Sequence, residues 1–233
     1  FTDIQSISAF SEKLSASDLV SLLNTYLTEM TDILMQNNGT LDKYIGDAIV
    51  AFYGAPIDVK EHELMACRTA IKMQERLAEL RKQWQAEGDR WPEIVHHMQN
   101  RIGISSCQMV TGNMGSEARM NYTMMGDTVN LAARLEPAAK QYGVYIFVGE
   151  NIYKASNDEY VFRFLDFLSV KGKNIPVRAY ELIDTKDQIK KESLDLIEAF
   201  ENGLNSYFNQ DWEIALKYFE SSSLLEDDFD GRN

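Results

Sequence analysis

The sequence is poor in the features that mark disordered, disulfide-linked and membrane-spanning proteins. Its 233 residues include four prolines and two cysteines, which argues against a proline-rich linker and against a disulfide framework. No apolar run approaches the roughly 18 residues that a membrane span needs. Hydrophobic residues make up 45% and charged residues 25% of the chain, as is usual for globular domains.

Basic residues are also scarce. Lysine and arginine number 23 against 36 acidic residues, for a net charge of −13, so the chain lacks the basic face that nucleic-acid binding requires. The excess is strongest in residues 184–233, which hold thirteen acidic and five basic residues. This change near Asp184 is the best candidate boundary between one ordinary domain and an appendage.

The two cysteines and the first residues bear on cellular location. Cys67 and Cys107 are too far apart for a CxxC metal clip and predict two buried free thiols in a reducing compartment. The opening FTDIQSIS lacks the basic and apolar regions of a signal peptide. We therefore expect a cytoplasmic domain. The abrupt start favours a piece of a longer protein and leaves open a sensor or membrane anchor upstream.

Helical and strand-like patterns alternate along the first 183 residues. Helices are predicted from Ser15 or Ser17 to Asn37-Asn38-Gly39, over 66–84, and from Asp127 or Thr128 to about Pro137, with a kink and a continuation to Tyr142 as the alternative. Strands are predicted at 40–45, 48–53, 101–105, 144–148, 160–168 and 177–183. Turns are predicted at Gly46-Asp47, at Gly112 and Gly115, and around residues 170–173. Hairpins among alternating elements favour an α+β domain with a mixed or largely antiparallel sheet over a doubly wound one.

The last 45 or so residues predict a helical hairpin over 187–229. Two apolar stripes at helical spacing flank Asn209-Gln210-Asp211: Leu194, Ile197, Phe200, Leu204 and Phe208, then Trp212, Ala215, Leu216, Phe219 and Leu224. The spacing of the small and aromatic residues resembles one tetratricopeptide repeat, and such arrays need about three repeats. Either the array continues, or the hairpin packs on the first domain. The hairpin is also a candidate surface for a protein partner.

Two acidic residues lie where strands end. Asp3 and Asp47 are each followed by apolar residues, and two carboxylates brought together repel one another unless a divalent cation bridges them. Such oxygen ligands suit Mg²⁺, which takes one or two carboxylates together with substrate phosphates. The alternative is that Asp47 is a turn residue and Asp3 a surface acid.

Four further residues suggest recognition of a charged ligand. Asn130 and Arg134 share one helix face and can hold a charged oxygen together with a second polar group; the alternative is an ion pair of Arg134 with Glu136 or Glu117. Lys171 lies in a glycine-containing turn and can reach a phosphate, or it is a solvated loop charge. Lys43 in a partly buried strand needs a partner, either a nucleobase acceptor or a nearby acid.

Five segments carry these residues. In chain order they read FTDIQSISAFSE, GTLDKYIGDAIVAFYGAP, NRIGISSCQMVTGNMGS, MNYTMMGDTVNLAARLE and SVKGKNIPVRAYEL. In content and order they resemble the catalytic domain of class III nucleotidyl cyclases, over residues 1–183. The resemblance implies a ferredoxin-like βαββαβ core with extra strands, to which the C-terminal helical hairpin is added.

The resemblance also implies a metal site. Asp3 and Asp47 match the two aspartates that hold two Mg²⁺ ions, for which Mn²⁺ is expected to substitute, and Ile4 would add its backbone carbonyl. The turn that wraps the substrate phosphates would be Gln5, Ser6, Ile7 and Ser8. Ser6 stands where the family commonly has glycine, and Ile7 where it has phenylalanine.

Substrate contacts follow from the same resemblance. Arg101 would bind the β- and γ-phosphates and Lys171 the terminal phosphate, while Asn130 would orient the ribose and Arg134 would stabilise charge on the α-phosphoryl group. Lys43 and Thr123 match the pair that selects the base. Lysine can donate to adenine N1 and threonine can accept from the 6-amino group, whereas guanylyl cyclases usually carry Glu and Cys there.

The resemblance therefore implies an adenylyl cyclase that converts ATP into cyclic AMP and pyrophosphate. It also implies a head-to-tail homodimer whose two sites each use residues of both chains. The threonine resembles a subgroup that bicarbonate often stimulates, so bicarbonate is a candidate effector. The alternatives are a guanylyl cyclase, a non-catalytic nucleotide-binding or dimerisation domain, and an adaptor whose helical hairpin is the functional part.

Overall fold

The computed structural model describes residues 1–168 and 176–226. The strands are β1 (Thr2–Ile4), β2 (Thr40–Ile45), β3 (Ala48–Phe52), β4 (Asn100–Ile104), β5 (Val110–Ser116), β6 (Arg119–Met125), β7 (Ile146–Gly149), β8 (Tyr160–Leu168) and β9 (Val177–Thr185). The helices are α1 (Ile7–Lys13), α2 (Ala16–Gln36), α3 (His62–Ala86), α4 (Glu93–His96), α5 (Asp127–Tyr142), α6 (Glu150–Ser156), α7 (Lys191–Phe208) and α8 (Trp212–Glu226).

Seven strands form one mixed sheet in the order β2-β3-β1-β4-β7-β9-β8. The first four give the 2-3-1-4 order of a ferredoxin-like core, and β7, β9 and β8 extend the sheet beyond β4. Strands β4 and β7 run parallel, whereas the other neighbours in this sheet are antiparallel. Strands β5 and β6 form a separate two-stranded sheet. The predicted α+β class and ferredoxin-like core with extra strands are confirmed.

Local sequence signals explain the first long helix and the hairpin after it. Ser15 caps α2, because its hydroxyl accepts the backbone N–H of Asp18, as serine commonly does at this position. Gly46 adopts a left-handed φ of 65° in the two-residue turn between β2 and β3, where glycine is favoured. The antiparallel pairing of β2 with β3 confirms the predicted hairpin.

Several features differ from the sequence-based expectations. Gly112 and Gly115 do not form a turn but lie within β5, and the turn falls instead between Ser116 and Arg119, which pair across it. Gly115 has a φ of 155°, and a Cβ there would clash with the carbonyl oxygen of Arg119. Cys107 is exposed, whereas Cys67 is buried as expected. The short helices α1 and α6 had no clear periodicity.

The core of the sheet packs against α2 and α3. Large side chains that are almost fully buried there include Tyr26, Phe10, Leu22, Met30, Leu77 and Leu80. A second cluster, between α5 and the strands β7 to β9, includes Leu135 and Phe147. None of the described helices combines the length and apolarity needed to cross a membrane.

Helices α7 and α8 form the predicted hairpin, and α7 packs on strand β8. The backbone N–H of Phe164 donates to Glu201 at 3.2 Å, and the guanidinium of Arg163 lies 4.8 Å from the centre of the Phe200 ring. A side chain at Gly203 would meet the ring of Phe219 at 2.7 Å, so this glycine permits the close approach of the two helices. The division into a first domain over 1–183 and a hairpin over 187–229 stays a prediction. Residues 227–229 of that hairpin lie outside the described part of the chain.

Candidate active site

Asp3 and Asp47 lie together, although one belongs to strand β1 and the other to the turn between β2 and β3. The backbone N–H of Ile4 donates to Oδ2 of Asp47 at 2.9 Å. The pairing of β1 with β3, Thr2 opposite Ile49, brings the end of one strand beside the tip of the hairpin. The two acids that the sequence singles out therefore share one site.

The environment of Asp3 disfavours its ionised form. Partial burial, a hydrogen bond with Asp47 and the negative charges of Asp47 and Glu136 raise the pKa of Asp3 to about 7, and Arg101 opposes this shift. Two carboxylates in one site behave in this way when no cation lies between them. The pair is thus suited to a divalent cation.

The donor set fits Mg²⁺ or Mn²⁺. Both ions prefer oxygen ligands, and Mg²⁺ is commonly held by one or two carboxylates with the rest supplied by water and phosphate. Within residues 1–168 and 176–226, no group of three or more His, Cys, Asp or Glu side chains could hold a metal ion. Any ion at Asp3 and Asp47 would accordingly need further oxygen ligands from a backbone carbonyl, the substrate or water.

Arg101 lies in β4, directly opposite Asp3 of β1. Its Nε donates to Oε1 of Glu136 at 2.9 Å, and both side chains are almost buried. Glu136 belongs to α5, which approaches β4 closely: a Cβ on Gly103 would lie 2.5 Å from the carbonyl oxygen of Ala132 and from the backbone N of Glu136. The predicted phosphate arginine therefore lies near the aspartates, held by an acid that the sequence had suggested as a partner of Arg134.

Asn130 and Arg134 lie on an exposed side of α5, one turn apart. Among the described residues, no hydrogen bond or ion pair joins either of them to Asp3 or Asp47. Glu136 pairs with Arg101, so the proposed Arg134–Glu136 pair is not formed. The two side chains remain available on the surface of one chain.

Lys43 and Thr123 meet at a third residue, Asp42. The hydroxyl of Thr123 donates to Oδ2 of Asp42 at 2.7 Å, and Nζ of Lys43 lies 3.5 Å from Oδ1 of the same carboxylate. Lys43 thus has a nearby acid as its partner, but its side chain is 44% exposed, so the predicted partly buried position is wrong. The two predicted base-selecting residues are brought together from β2 and β6.

Gln5 and Ser6 link β1 to α1, and Ile7 and Ser8 are the first residues of that helix, so the predicted turn from Gln5 to Ser8 is two residues long. Ser6 has a left-handed backbone, with φ 60° and ψ 36°, a conformation that glycine adopts more readily than serine. This explains why glycine is expected at the position. Gln5 donates its backbone N–H to Gln99, so the turn is fixed to the residues that precede β4. Lys171 lies outside the described residues.

The described part of the chain also contains a cavity of about 320 Å³. It is lined by residues of β3, β4, α3 and α5, among them Ala51, Gly103 and Ala132. None of the described candidate site residues lines it, although their chain neighbours Thr2, Ile102 and Val129 do.

The sequence patterns did not identify Asp42 as the partner of Lys43 and Thr123, or Glu136 as the partner of Arg101. Asp42 is an acid inside a strand-like run, and Glu136 is an acid on an otherwise apolar part of a helix. An acid at such a position is costly unless it has a partner. This cost indicates that each acid has a partner, but the sequence does not identify it. Thr123, the partner of Asp42, and Arg101, the partner of Glu136, lie far away in sequence.

Comparison with known proteins places these observations in a family. The family model described as "Adenylate and Guanylate cyclase catalytic domain" matches residues 1–184. The chain is 33% identical over 224 residues to "Adenylate cyclase, terminal-differentiation specific" of Dictyostelium discoideum, a match that covers 94% of this chain. It spans 10%, 27% and 36% of the length of three curated relatives that it matches.

Two solved structures are also similar. The crystal structure of the adenylyl cyclase CyaB from P. aeruginosa has a TM-score of 0.70 and 33% identity, covering 81% of this chain and 94% of that one. The guanylyl cyclase Cya2 has a TM-score of 0.67 and 29% identity, covering 81% and 92% of the two chains. The chain belongs, through residues 1–184, to the family of adenylate and guanylate cyclase catalytic domains.

Proposed function

We propose that this protein is an adenylyl cyclase, which converts ATP into 3′,5′-cyclic AMP and pyrophosphate. The observation that carries the choice of ATP is the meeting of Lys43 and Thr123 at Asp42. A lysine ammonium can donate to N1 of adenine, and a threonine oxygen can accept from the 6-amino group. Guanine offers a donor at N1 and an acceptor at position 6, which this pair fits less well.

The reaction is an intramolecular phosphoryl transfer. The 3′-hydroxyl oxygen of ATP forms a bond with the α-phosphorus, the bond to the β-phosphate bridging oxygen breaks, pyrophosphate leaves, and the hydroxyl proton is released. Asp3, Asp47 and the carbonyl of Ile4 would hold two Mg²⁺ ions, which supply electrostatic stabilisation and activate the hydroxyl. Catalysis of this kind needs positioning and charge stabilisation and no protein nucleophile.

The remaining site residues have the roles that the resemblance to the cyclase family implies. Asn130 orients the ribose, and Arg134 stabilises the negative charge that develops on the α-phosphoryl oxygens. Arg101, Lys171 and the turn from Gln5 to Ser8 bind the β- and γ-phosphates. The ion pair with Glu136 holds Arg101 beside Asp3.

We further propose that each active site is shared between two chains in a head-to-tail homodimer. Asn130 and Arg134 are exposed on α5, and their missing contact with the aspartates in the described part of one chain supports their acting on a second chain. Lys43, Thr123 and Lys171 would act with them. Since one chain carries both sets, a symmetric dimer would have two equivalent sites.

The direct test is product formation from ATP and from GTP, with Mg²⁺ or Mn²⁺, followed by separation of cyclic AMP from cyclic GMP. We expect cyclic AMP to dominate with either metal and little product after chelation. Predominant cyclic GMP would favour the guanylyl cyclase alternative. Absence of both products in a dimeric, folded sample would favour a non-catalytic domain.

Two regulatory features can be tested in the same assay. A titration with bicarbonate at constant pH should raise cyclic AMP formation if the resemblance at Thr123 extends to regulation, and a flat response would remove bicarbonate as an effector. Removal of residues 187–233 tests the hairpin. If the shortened chain no longer binds a protein partner but still forms cyclic AMP, the result would support a partner-binding role of α7 and α8.

A further inference from the structure

The strand that carries Lys43 contains an irregularity at Asp42. Leu41 pairs with Ala51 and Lys43 pairs with the adjacent Val50, so Asp42 is an extra residue in β2. In a regular strand, neighbouring side chains point to opposite faces, and a bulge can redirect one of them. Here the carboxylate of Asp42 and the ammonium of Lys43 come within 3.5 Å of each other.

The redirected carboxylate is buried and only partly satisfied. The Asp42 side chain is 3% exposed, whereas that of Lys43 is 44% exposed. Oδ2 accepts the hydroxyl of Thr123 at 2.7 Å, and Oδ1 is a buried oxygen without a hydrogen-bond partner among the described residues. A buried carboxylate is a strong acceptor and cannot donate when ionised.

The direction of the Thr123 hydrogen bond matters for nucleotide choice. A hydroxyl has one hydrogen and two lone pairs. Because the hydrogen is directed to Asp42, the oxygen of Thr123 can offer only lone pairs to a bound base. Adenine presents a 6-amino donor at this position and guanine presents an O6 acceptor, so a hydroxyl fixed in this way accepts from adenine and leaves guanine O6 unpaired.

We propose that Asp42 is a positioning residue that sets base specificity, because it makes the Thr123 hydroxyl an acceptor and holds it beside Lys43. This inference rests on the proposed adenylyl cyclase activity and names a residue that determines the substrate of that same site. Asp42 acts through Thr123 and does not itself contact the nucleotide.

The substitution Asp42→Asn tests the proposal with little change of shape. The carbonyl of the new amide would face the ammonium of Lys43, and its NH₂ group would donate to Thr123. The threonine hydrogen would then be free to point at the base. We expect the ratio of kcat/KM for ATP to that for GTP to fall by roughly tenfold or more, since an unmatched hydrogen-bonding group is strongly penalised.

A substrate analogue separates this effect from general damage. Purine riboside triphosphate lacks any substituent at position 6, so its kcat/KM should change by less than about threefold in Asp42→Asn. Asp42→Asn should also have no further effect on the ATP/GTP ratio in a Thr123→Val background, where the hydroxyl is absent. The exposed turn residue Asp158 provides a matched control, Asp158→Asn, in which the ratio should not change.

The outcomes distinguish a failure of the proposed cyclase activity from a failure of the role assigned to Asp42. If the folded wild-type protein turns over neither nucleotide, the proposed function fails and this inference fails with it. If wild type prefers ATP and Asp42→Asn keeps that preference, only the role of Asp42 is overturned. An equal loss for ATP, GTP and the analogue would assign Asp42 a purely structural role.

A folding control completes the test. Circular dichroism should be unchanged in Asp42→Asn, and Asp42→Glu, which keeps an acceptor carboxylate, should recover part of the preference for ATP. If Asn, Glu and Ala at this position all abolish the folded spectrum, Asp42 is needed for folding itself, and the proposed role in specificity is overturned.

Discussion

The backbone N–H of Ile4 donates to Oδ2 of Asp47 at 2.9 Å, across 43 residues of sequence. The residue next to Asp3 thus binds the other acid of the candidate metal site directly. The contact depends on the end of β1 meeting the tip of the β2–β3 hairpin. Any change that keeps this hydrogen bond and removes the charge therefore separates the structure of the site from its chemistry.

Asp47→Asn is such a change. The amide oxygen can still accept from Ile4, while the charge that would hold a divalent cation is lost. We expect turnover in Mg²⁺ to fall by on the order of 10²–10³, in the range seen when one preorganised electrostatic group is removed, with circular dichroism unchanged. Retention of more than about a tenth of wild-type activity at saturating Mg²⁺ would show that Asp47 does not hold the ion.

Asp3 gives a prediction for stability in the absence of metal. The pKa of Asp3 is raised in the folded protein from 3.8 to about 7. Between these values the folded state binds more protons than the unfolded state, so Asp3 lowers the stability progressively as pH rises through this window. The penalty is complete above the folded pKa and absent below the unfolded one.

Asp3→Asn removes this penalty. In the presence of a chelator, we expect the Tm of the variant relative to wild type to be higher at pH 8 than at pH 4. Mg²⁺ should raise the Tm of wild type at pH 8 and have a smaller effect on the variant. A Tm difference that is independent of pH would show that Asp3 is not perturbed in this way.

Gly103 controls how closely α5 approaches β4. A Cβ at this position would lie 2.5 Å from backbone atoms of Ala132 and Glu136, and backbone cannot move aside as a flexible side chain can. Gly103→Ala should therefore lower the free energy of unfolding by about 1–3 kcal/mol or more. It should also reduce activity, because α5 carries Asn130 and Arg134.

Gly112→Ala is the matched control in chemical denaturation. Gly112 lies in β5 without a left-handed backbone, and no atom lies within 4 Å of the position that a Cβ would take there. Its substitution should change the unfolding free energy by less than about 0.5 kcal/mol. Equal effects of the two substitutions would contradict the close-packing explanation for Gly103.

The elements that sequence predicted well are those with strong local signals. Helix α2 has a serine cap and a long apolar stripe, and the β2–β3 hairpin has a Gly-Asp turn between strand-like runs. Helix α1 spans only seven residues, so periodicity does not reveal it. Gly115 was mistaken for a turn residue because glycine also occurs where two strands approach closely.

The sequence predicts only those site residues that can be recognised without knowing their partners in the fold. Asp3 and Asp47 could be selected as acids at strand ends, and the structure brings them together as expected. The supporting acids could not be assigned, because Asp42 depends on a bulge in β2 and on Thr123, which is 81 residues away. Glu136 likewise depends on Arg101, 35 residues away, and tertiary packing alone brings these pairs into contact.

The shared active site can be tested by mixing two inactive variants. Asp3→Ala removes a metal ligand, and Arg134→Ala removes the group that stabilises the transition state, so each homodimer should be nearly inactive. In a mixed dimer, one site receives Asp3 from the Arg134→Ala chain and Arg134 from the Asp3→Ala chain. That site is equivalent to wild type, while the other carries both defects.

The most direct measurement is the cyclic AMP activity of the two variants before and after subunit exchange, with exchange verified by pull-down of differently tagged chains. With random exchange about half of the dimers are mixed, and each has one intact site. Activity should therefore recover to roughly a quarter of the wild-type value. If mixed dimers form and no activity returns, Asp3 and Arg134 act within one chain, and the head-to-tail arrangement is wrong.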